Sequence, residues 1–452
     1  MALGGGFWLK QNKVLPGAYI NFVSKQKASI DSVDRGYGTM ALDLDWGATN
    51  TIVRVEQSEF QTNCQKIFGY DYAHDKMKGL RDLFLNLKTL YLYRLNSEAV
   101  QAKNTLATAK FGGVRGNDIS VSVQADIDES DKFVVTTFLT TDGVTKIVDK
   151  QTGLTKPSDL VDNDYVIFAK TAGTFTVSVA TPLTGGTNGS EITSADYQKY
   201  IELIEPYYFN CLGYVGSDST IQTLLQSFAK RCREDTGAKF QVILYNKQKA
   251  NYEGVISTPT KVTDKGYEPG SIVYWLTGAE ASCEINQSCT NKIYDGEFTV
   301  DTNYKQYELE QFIKGGMLVF HSVVDSASGD TKGDVRILAD VNTFTEFTKA
   351  KSKDFALNQV IRVLDNWAYD VARQFNRVYL GKEGNDAIGQ TALWGDIVKL
   401  GDTYQKIRAI KNFEDKDIKM PYEGDEKDSV VLDMEINPVV AMQKLYATTI
   451  IA

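Results

Sequence analysis

The chain has 452 residues, of which 42% are hydrophobic and 24% are charged, and it carries a net charge of −9. This composition excludes a mostly disordered or collagen-like protein and leaves room for about three domains. The acidic balance argues against a broad nucleic-acid-binding surface, and no apolar run reaches the ~20 residues that a membrane span requires. The opening MALGGGFWLK lacks the basic start and apolar block of a secretory signal, so we expect none there.

Little in the sequence points to catalysis or metal binding. Histidine occurs only at His74 and His321, and neither lies near a serine or cysteine in a nucleophile-elbow context. The five cysteines are scattered, and the closest two, Cys283 and Cys289, lack the second ligand pair of a zinc site. An odd number of cysteines without a CxxC motif is typical of reduced thiols in a cytosolic protein. We therefore expect no catalytic residue, no metal and no cofactor.

The first 24 residues predict an N-terminal arm. Three glycines, Gly4, Gly5 and Gly6, precede the segment PGAYINFVS (16–24), whose side chains alternate between two faces as in a β-strand. A strand attached through a flexible glycine lead can pair with its own fold or with another chain. The sequence leaves both possibilities open.

The middle of the chain predicts an α/β core that is split by a β-rich insert. Residues 25–96 form the first part of the core, with strands in TMALDLDWG, NTIVRVEQ and KTLYLYRLN around the helix DYAHDKMKGLRDLFLNL. From 97 to 182 short strand patterns recur every 10–15 residues between glycine turns, which is typical of a small sandwich. The α/β pattern resumes over 183–340, where we also expect SIVYWLTGAEASC and GMLVFHSVV to begin as strands.

A glycine-rich turn in LTGGTNGS (183–190) follows a strand pattern and precedes a helix, an arrangement at which anions can bind. The turn does not end in the Lys-Ser/Thr of a P-loop and does not fit GxGxxG. A nucleotide site near Gly185 to Gly189 is therefore the first alternative function, that of an α/β enzyme. A surface adhesin that uses the β-rich insert is the second.

Residues 341–436 predict a helical C-terminal domain. The longest helix covers 352–380, with an apolar stripe, a cap at Ser352 and a stop at Gly381, and a second helix covers 391–410. After the strand SVVLDMEI, Pro438 interrupts the pattern, and KLYATTIIA predicts a terminal strand in an arm over 437–452. An unpaired strand of this kind promotes aggregation, so it must complete a sheet of its own chain or of a neighbour.

Several segments resemble contractile tail sheath proteins of myophages and R-type bacteriocins, closest to those of Gram-positive prophages. The matching words are RVLDNWAYDVARQFNRVYLGKEGND (362–386), IRAIKNFEDKDI (407–418), INPVVAMQKLYATTIIA (436–452), LTGGTNG (183–189), TGAEASCEINQSCTNKIYDG (277–296) and PGAYINF (16–22). The chain departs from the family pattern at Glu280, where a small residue is common, and in the insert, which has no counterpart in minimal sheaths.

This resemblance implies a structural subunit and not an enzyme. Such subunits form a helical tube of six-fold rings around an inner tail tube, and contraction from a metastable extended state drives that tube through the target cell envelope. The implied partners are other copies of the chain, the inner tube protein, and baseplate and terminator or collar proteins, with no direct contact to nucleic acid or membrane. The implied location is a phage tail or bacteriocin particle made in the host cytoplasm.

The resemblance also assigns roles to three sets of residues. Both arms supply strands to neighbouring subunits, through Pro16, Gly17, Ala18, Tyr19, Ile20 and Phe22 and through Lys444, Leu445, Tyr446, Thr448, Thr449, Ile450 and Ile451. The candidate hinges are Gly4, Gly5, Gly6 and Pro438. The C-terminal domain faces the inner tube, and because residues 341–420 carry a net charge of about +2, the candidates for contacting an acidic tube are Lys349, Lys351, Lys353, Arg362, Arg373 and Arg377.

Overall fold

The computed structural model describes residues 34–129, 131–170, 172–324 and 333–451. The predicted N-terminal strand and the glycine hinge lie outside these residues. No helix in the described ranges is both long and apolar enough to cross a membrane.

The first segment, up to residue 95, forms one side of the core sheet. Its elements are β1 (Tyr37–Leu42), β2 (Ile52–Glu56), α1 (Gln57–Phe68), α2 (Lys78–Phe84) and β3 (Thr89–Arg94). Helix α1 is absent from the sequence prediction, because only Phe60, Cys64 and Phe68 are buried among its polar residues. These three are four residues apart and so line one face, which packs on the sheet.

The insert is a separate β-structure with its own core. Its strands are β4 (Ala107–Ala109), β5 (Ile119–Ala125), β6 (Phe133–Thr141), β7 (Val144–Leu154), β8 (Val166–Phe168) and β9 (Ser178–Pro182). Four of them form an antiparallel sheet in the order β7-β6-β5-β9, and β4 pairs with β8. Asp142 and Gly143 join β6 to β7 with positive φ at both residues, as a two-residue hairpin turn requires.

The next segment returns to the core. It contains α3 (Ser194–Ile204), β10 (Cys211–Tyr214), α4 (Ser219–Arg231), β11 (Gln241–Tyr245), β12 (Val255–Thr258), α5 (Ile272–Ser282), α6 (Gln306–Lys314), β13 (Phe320–Val323) and β14 (Asp334–Ile337). The core sheet has the order β12-β11-β10-β1-β3-β2, parallel except for β2 at one edge. The insert therefore enters between β3 and β10.

The prediction that SIVYWLTGAEASC begins as a strand is wrong, because this segment forms α5. The helix buries Ile272, Trp275 and Ala279, and almost every other residue of it is also buried. A helix that is apolar on all sides shows no amphipathic period, so its sequence looks like a buried strand.

The C-terminal domain is built on two helices, α7 (Asn358–Gln374) and α8 (Ala387–Lys406), with a small hairpin of β15 (Tyr422–Glu423) and β16 (Val430–Val431). Ser352 caps a short 3-10 turn before α7 by accepting a hydrogen bond from the amide of Asp354. One π turn continues α7, and Gly381 follows with a φ of 68°. Of the predicted strand SVVLDMEI only β16 forms, and KLYATTIIA is not a strand in the single chain.

Candidate assembly site

The C-terminal arm leaves its domain beside the loop that follows α8. The amide of Lys411 donates to the carbonyl of Asn437 at 2.9 Å, and the amide of Val439 donates to the carbonyl of Ala409 at 2.8 Å. Pro438, the candidate hinge, lies between these bonds in an isolated bridge with Ile410. The arm is therefore held on both sides of the proline.

Two further contacts hold the next part of the arm. The amide of Ala441 donates to Oε1 of Gln359 at 2.9 Å, and Nε2 of Gln443 donates to Oγ1 of Thr290 at 3.3 Å. Gln359 is buried in α7, and Thr290 lies in the loop after α5. These two elements together fix the direction in which the arm leaves the body.

Beyond Gln443 the arm is open. Residues 444–451, which include every C-terminal residue predicted to pair with a neighbour, form no strand, and their backbone has no hydrogen-bond partner within the described residues. The side chains of Leu445, Tyr446 and Ile451 are each about nine-tenths exposed. An extended apolar segment with free amides and carbonyls is a template for strand pairing.

The described chain begins next to the same elements. The guanidinium of Arg35 donates to the carbonyl of Cys283 at 2.8 Å, to the carbonyl of Glu280 at 3.0 Å and to Oδ1 of Asn366 at 3.1 Å. The first two acceptors lie at the end of α5 and the third lies on α7. Both described ends of the chain are therefore fastened to α5, its following loop and α7.

A buried ion cluster lies between these elements. Arg362 on α7 pairs with Glu280 on α5 at 2.5 Å and with Asp340 at 2.6 Å, and all three side chains are almost completely buried. Asp340 also accepts hydrogen bonds from Asn358 and from the amide of Cys289. The prediction that Arg362 faces an inner tube is therefore wrong, because its guanidinium has no access to a surface.

The two carboxyl groups of this cluster differ in their proton affinity. Burial, together with the charge of Asp340, raises the pKa of Glu280 well above its ordinary value. Burial also opposes ionisation of Asp340, but the charge and hydrogen bonds of Arg362 lower the pKa of Asp340 overall. The cluster therefore favours the proton on Glu280 and the negative charge on Asp340, beside the guanidinium of Arg362.

Glu280, Asp340 and Cys289 have the donor types of a metal site, and their ligand atoms lie within 4.8 Å of one another. Arg362 already binds both carboxyl groups, so the cation of this cluster is its guanidinium.

The remaining cationic candidates lie on the outside of the C-terminal domain. Lys349, Lys353, Arg373 and Arg377 are exposed. Lys351 is half-buried and pairs with Glu253 of the core. Four of the six candidates therefore have the exposure that contact with another protein requires.

The glycine-rich turn at 183–190 has a structural role in the described chain. Thr184 and Thr187 pair through their backbones with Lys103 and Val100 at the base of the insert. The amide of Gly186 donates to Oδ1 of Asn117 at 2.8 Å, and a side chain at 186 would meet the carbonyl of Gly113 at 2.5 Å. These backbone groups are engaged, so the observation that suggested a phosphate site has a different explanation.

Family models of phage tail sheath proteins match consecutive segments of the chain. The matches are to domain III, N-terminal region, of the tail sheath protein Gp18 (35–95), and to the sheath beta-sandwich domain (96–188), central domain (190–343) and C-terminal domain (350–452).

Solved and curated relatives agree with these matches. The sheath tail protein of Desulfitobacterium hafniense is 32% identical, with 95% of this chain and 99% of that chain covered and a TM-score of 0.80. The sheath tail protein of Listeria innocua is 28% identical, with 93% and 95% covered and a TM-score of 0.75. The phage-like element PBSX protein XkdK of Bacillus subtilis (strain 168) is 28% identical over 478 residues, with 98% of each covered.

These relatives cover nearly the whole chain, and the insert corresponds to the beta-sandwich domain of the family. The predicted fold class, an α+β chain with a mixed-sheet core split by a sandwich-like domain and followed by a helical domain, is confirmed. The chain belongs to the phage tail sheath protein family and is a structural subunit of a contractile sheath.

Proposed function

We propose that copies of this chain assemble into a helical tube of six-subunit rings around an inner tail tube. The tube contracts from a metastable extended state and drives the inner tube through the envelope of a target cell. The observation that carries this proposal is the C-terminal arm, whose apolar residues 444–451 extend from the body without a partner strand among the described residues. Each arm strand completes a sheet in a neighbouring copy.

The binding energy of such a strand contact is large enough to keep neighbouring copies joined during contraction. Pairing of the arm forms about five backbone hydrogen bonds, each with a net value of roughly 1 kcal/mol. Burial of an exposed side chain such as Leu445 or Ile450 adds about 2 kcal/mol each. The arm therefore keeps neighbouring copies attached while their bodies rotate and repack. Pro438 and the glycines Gly4 to Gly6 are the proposed hinges of this movement.

The energy source is the conformational transition itself. Assembly holds the subunits in the extended state, and contraction releases the free-energy difference to a better-packed state without hydrolysis of a nucleotide. This proposal assigns no catalytic role to the chain. The structural use of the glycine-rich turn supports this view, because it accounts for the one motif that suggested an enzyme.

The proposed partners follow from the same arrangement. The chain contacts other copies of itself, the inner tail tube, and baseplate and terminator or collar proteins at the ends of the sheath. Lys349, Lys353, Arg373 and Arg377 are proposed to face an acidic inner tube. The chain is made in the host bacterial cytoplasm and makes no direct contact with nucleic acid or membrane.

Removal of residues 444–452 tests the arm. We expect the shortened chain to stay folded and monomeric and to form no striated tubes in electron micrographs. The matched point variants are Ile450→Asp in the arm and Ile127→Asp in a turn of the insert, since their side chains are 87% and 98% exposed. Only the first is expected to prevent assembly. Normal tubes from the shortened chain would contradict the proposal.

A further inference from the structure

The carboxyl ends of the core strands open onto a crevice. Strands β1 and β10 are neighbours in the middle of the sheet, and from them the chain builds outward in opposite directions, through β3 and β2 on one side and β11 and β12 on the other. In open parallel sheets, ligands bind outside the strand ends at such a switch point. A cavity of about 700 Å³ lies there, within the usual size range of small-molecule sites.

Five tyrosines form much of the wall of this crevice, namely Tyr70, Tyr197, Tyr214, Tyr267 and Tyr274. The residues that follow the two central strands form the floor of the crevice, among them Asp43 after β1 and Gly216 after β10. Tyr197 and Tyr214 pack edge to face at 5.5 Å. Aromatic rings of this kind can pack against an alkyl chain or bind a cation over their faces.

One wall residue presents a hydroxyl that a ligand can reach. Tyr197 is only 7% exposed, lines the cavity, and its hydroxyl has no hydrogen-bond partner among the described residues. The oxygen is not among the fully buried atoms, so it is open to the crevice and can accept a hydrogen bond from a bound group.

The charges of the crevice determine which ligand fits. The carboxylates of Asp43 and Glu268 have no cationic partner within the described part of the chain, whereas Asp45 is paired with Lys76. Three carboxylates and one ammonium give the lining a net charge of −2. Burial raises the pKa of Tyr274, and the charges of Asp43 and Glu268 add to this rise. This field repels phosphate groups and attracts organic cations.

We propose that this crevice binds a small organic cation of the linear polyamine class. Its ammonium groups pair with Asp43 and Glu268, its methylene chain lies against the tyrosine rings, and one ammonium donates to the hydroxyl of Tyr197. The lining also includes Val114 and Asn188 at the base of the insert, so a bound cation bridges the core and the insert. The proposal does not depend on the role of the chain in a sheath.

Calorimetric titration of the full chain with spermidine tests this site. We expect saturable binding that the double variant Asp43→Asn/Glu268→Gln weakens at least tenfold and that Tyr197→Phe weakens several-fold. Asp235→Asn is the matched control, because it removes one exposed carboxylate on the turn after α4. The control is expected to leave the affinity unchanged.

Three outcomes would overturn the proposal. The first is the absence of saturable heat with spermidine at moderate salt. The second is equal binding by the double variant, which would show that the amine associates with the acidic surface in general. The third is binding of adenosine monophosphate or glucose as tightly as spermidine, which would assign the crevice to an anionic or neutral ligand.

Discussion

At the scale of single residues, the buried cluster of Arg362, Glu280 and Asp340 ties α7 to α5, the two elements that hold the ends of the chain. Arg362 lies 82 residues from Glu280 in sequence and 22 from Asp340. A basic residue on a helix is usually solvated, so its sequence position alone suggests exposure. The sequence feature that points to the cluster is Glu280, the single acidic residue in the otherwise apolar segment TGAEA. A buried carboxyl group needs a partner, so its position predicts a buried basic or polar side chain nearby.

We predict that Arg362→Met destabilises the chain by about 3–5 kcal/mol, since the carboxylate of Asp340 then stays buried without its cation. Urea unfolding followed by tryptophan fluorescence measures this change. The control is Arg377→Met in the π turn that continues α7, where the exposed side chain should contribute less than about 0.5 kcal/mol. Equal losses in the two variants would mean that the buried pair is not needed.

The raised pKa of Glu280 predicts a pH-dependent stability. The folded chain keeps the proton of Glu280 above pH 4.5, where the unfolded chain releases it. The wild-type free energy of unfolding therefore falls as pH rises through this window, by up to about 1.4 kcal/mol per pH unit. Glu280→Gln removes this term, because an amide can accept from Arg362 and donate to Asp340 without titrating. The free energy of unfolding of the variant, relative to that of the wild type, should therefore increase between pH 5 and pH 8. If this difference in free energy stayed constant over the same range, Glu280 would be ionised in the folded chain.

Cys283 is predicted to be the most reactive thiol of the chain. The neighbouring thiol of Cys289 lowers the pKa of Cys283 below its ordinary value in spite of burial. Burial raises the pKa of Cys64 to about 12, and Cys283 is the least buried of the five cysteines. Iodoacetamide labelling with peptide mapping should modify Cys283 first, and at a lower pH than the other four thiols. The control is the variant Cys283→Ser, which should lose the fastest phase of labelling. A fast phase that persists in this variant would contradict the assignment.

At the scale of elements, sequence patterns predicted best where one face of an element meets solvent. The alternating strands of the insert and the striped helix α7 follow this rule, and both were found. Helix α5 is buried all round and α1 is polar except for three positions, so neither shows a clear period. The terminal strand was predicted from its β-prone residues, but a strand forms only when a partner supplies the hydrogen bonds, and the single chain offers none among its described residues.

Two glycines of α8 predict opposite effects of the same substitution. A side chain at Gly395 would meet no other atom within 4 Å, whereas one at Gly401 would lie 2.1 Å from the buried ring of Phe413. Gly395→Ala should therefore stabilise the chain by up to about 1 kcal/mol, because alanine favours the helix. Gly401→Ala should destabilise it by about 1–3 kcal/mol through overpacking. Thermal unfolding measures both, and a shift of the same sign would refute the packing argument.

At the scale of the whole molecule, the insert joins the core through two segments that lie side by side. Val100 and Thr187 form a bridge where the chain enters and leaves it. Short segments spread along the sequence reveal the resemblance to sheath proteins. The contact between Val100 and Thr187 could not be predicted in this way, because 87 residues separate the two positions. The long-range pairing depends on Gly186 and Asn117, whose contact no local pattern reveals.

We predict that residues 101–186 can be replaced by a short glycine-serine linker without loss of the core fold. The bridge at Val100 keeps the ends adjacent, and the core sheet contains no strand from the insert. Some stability should be lost, about 2 kcal/mol, because Trp46 packs on Phe111 of the insert and becomes exposed. Circular dichroism and thermal unfolding measure the outcome. A chain that fails to fold would show that the insert is part of the core.

The open C-terminal arm has a consequence for the life of the subunit in the cell. Proteases cleave exposed segments that lack regular structure, and residues 444–451 form such a segment with apolar side chains. In the proposed assembly, capture by a neighbouring copy hides this segment, so we expect limited proteolysis to cleave free subunits there faster than assembled ones. The eight residues that join the copies would then also make unassembled subunits the first to be cleaved.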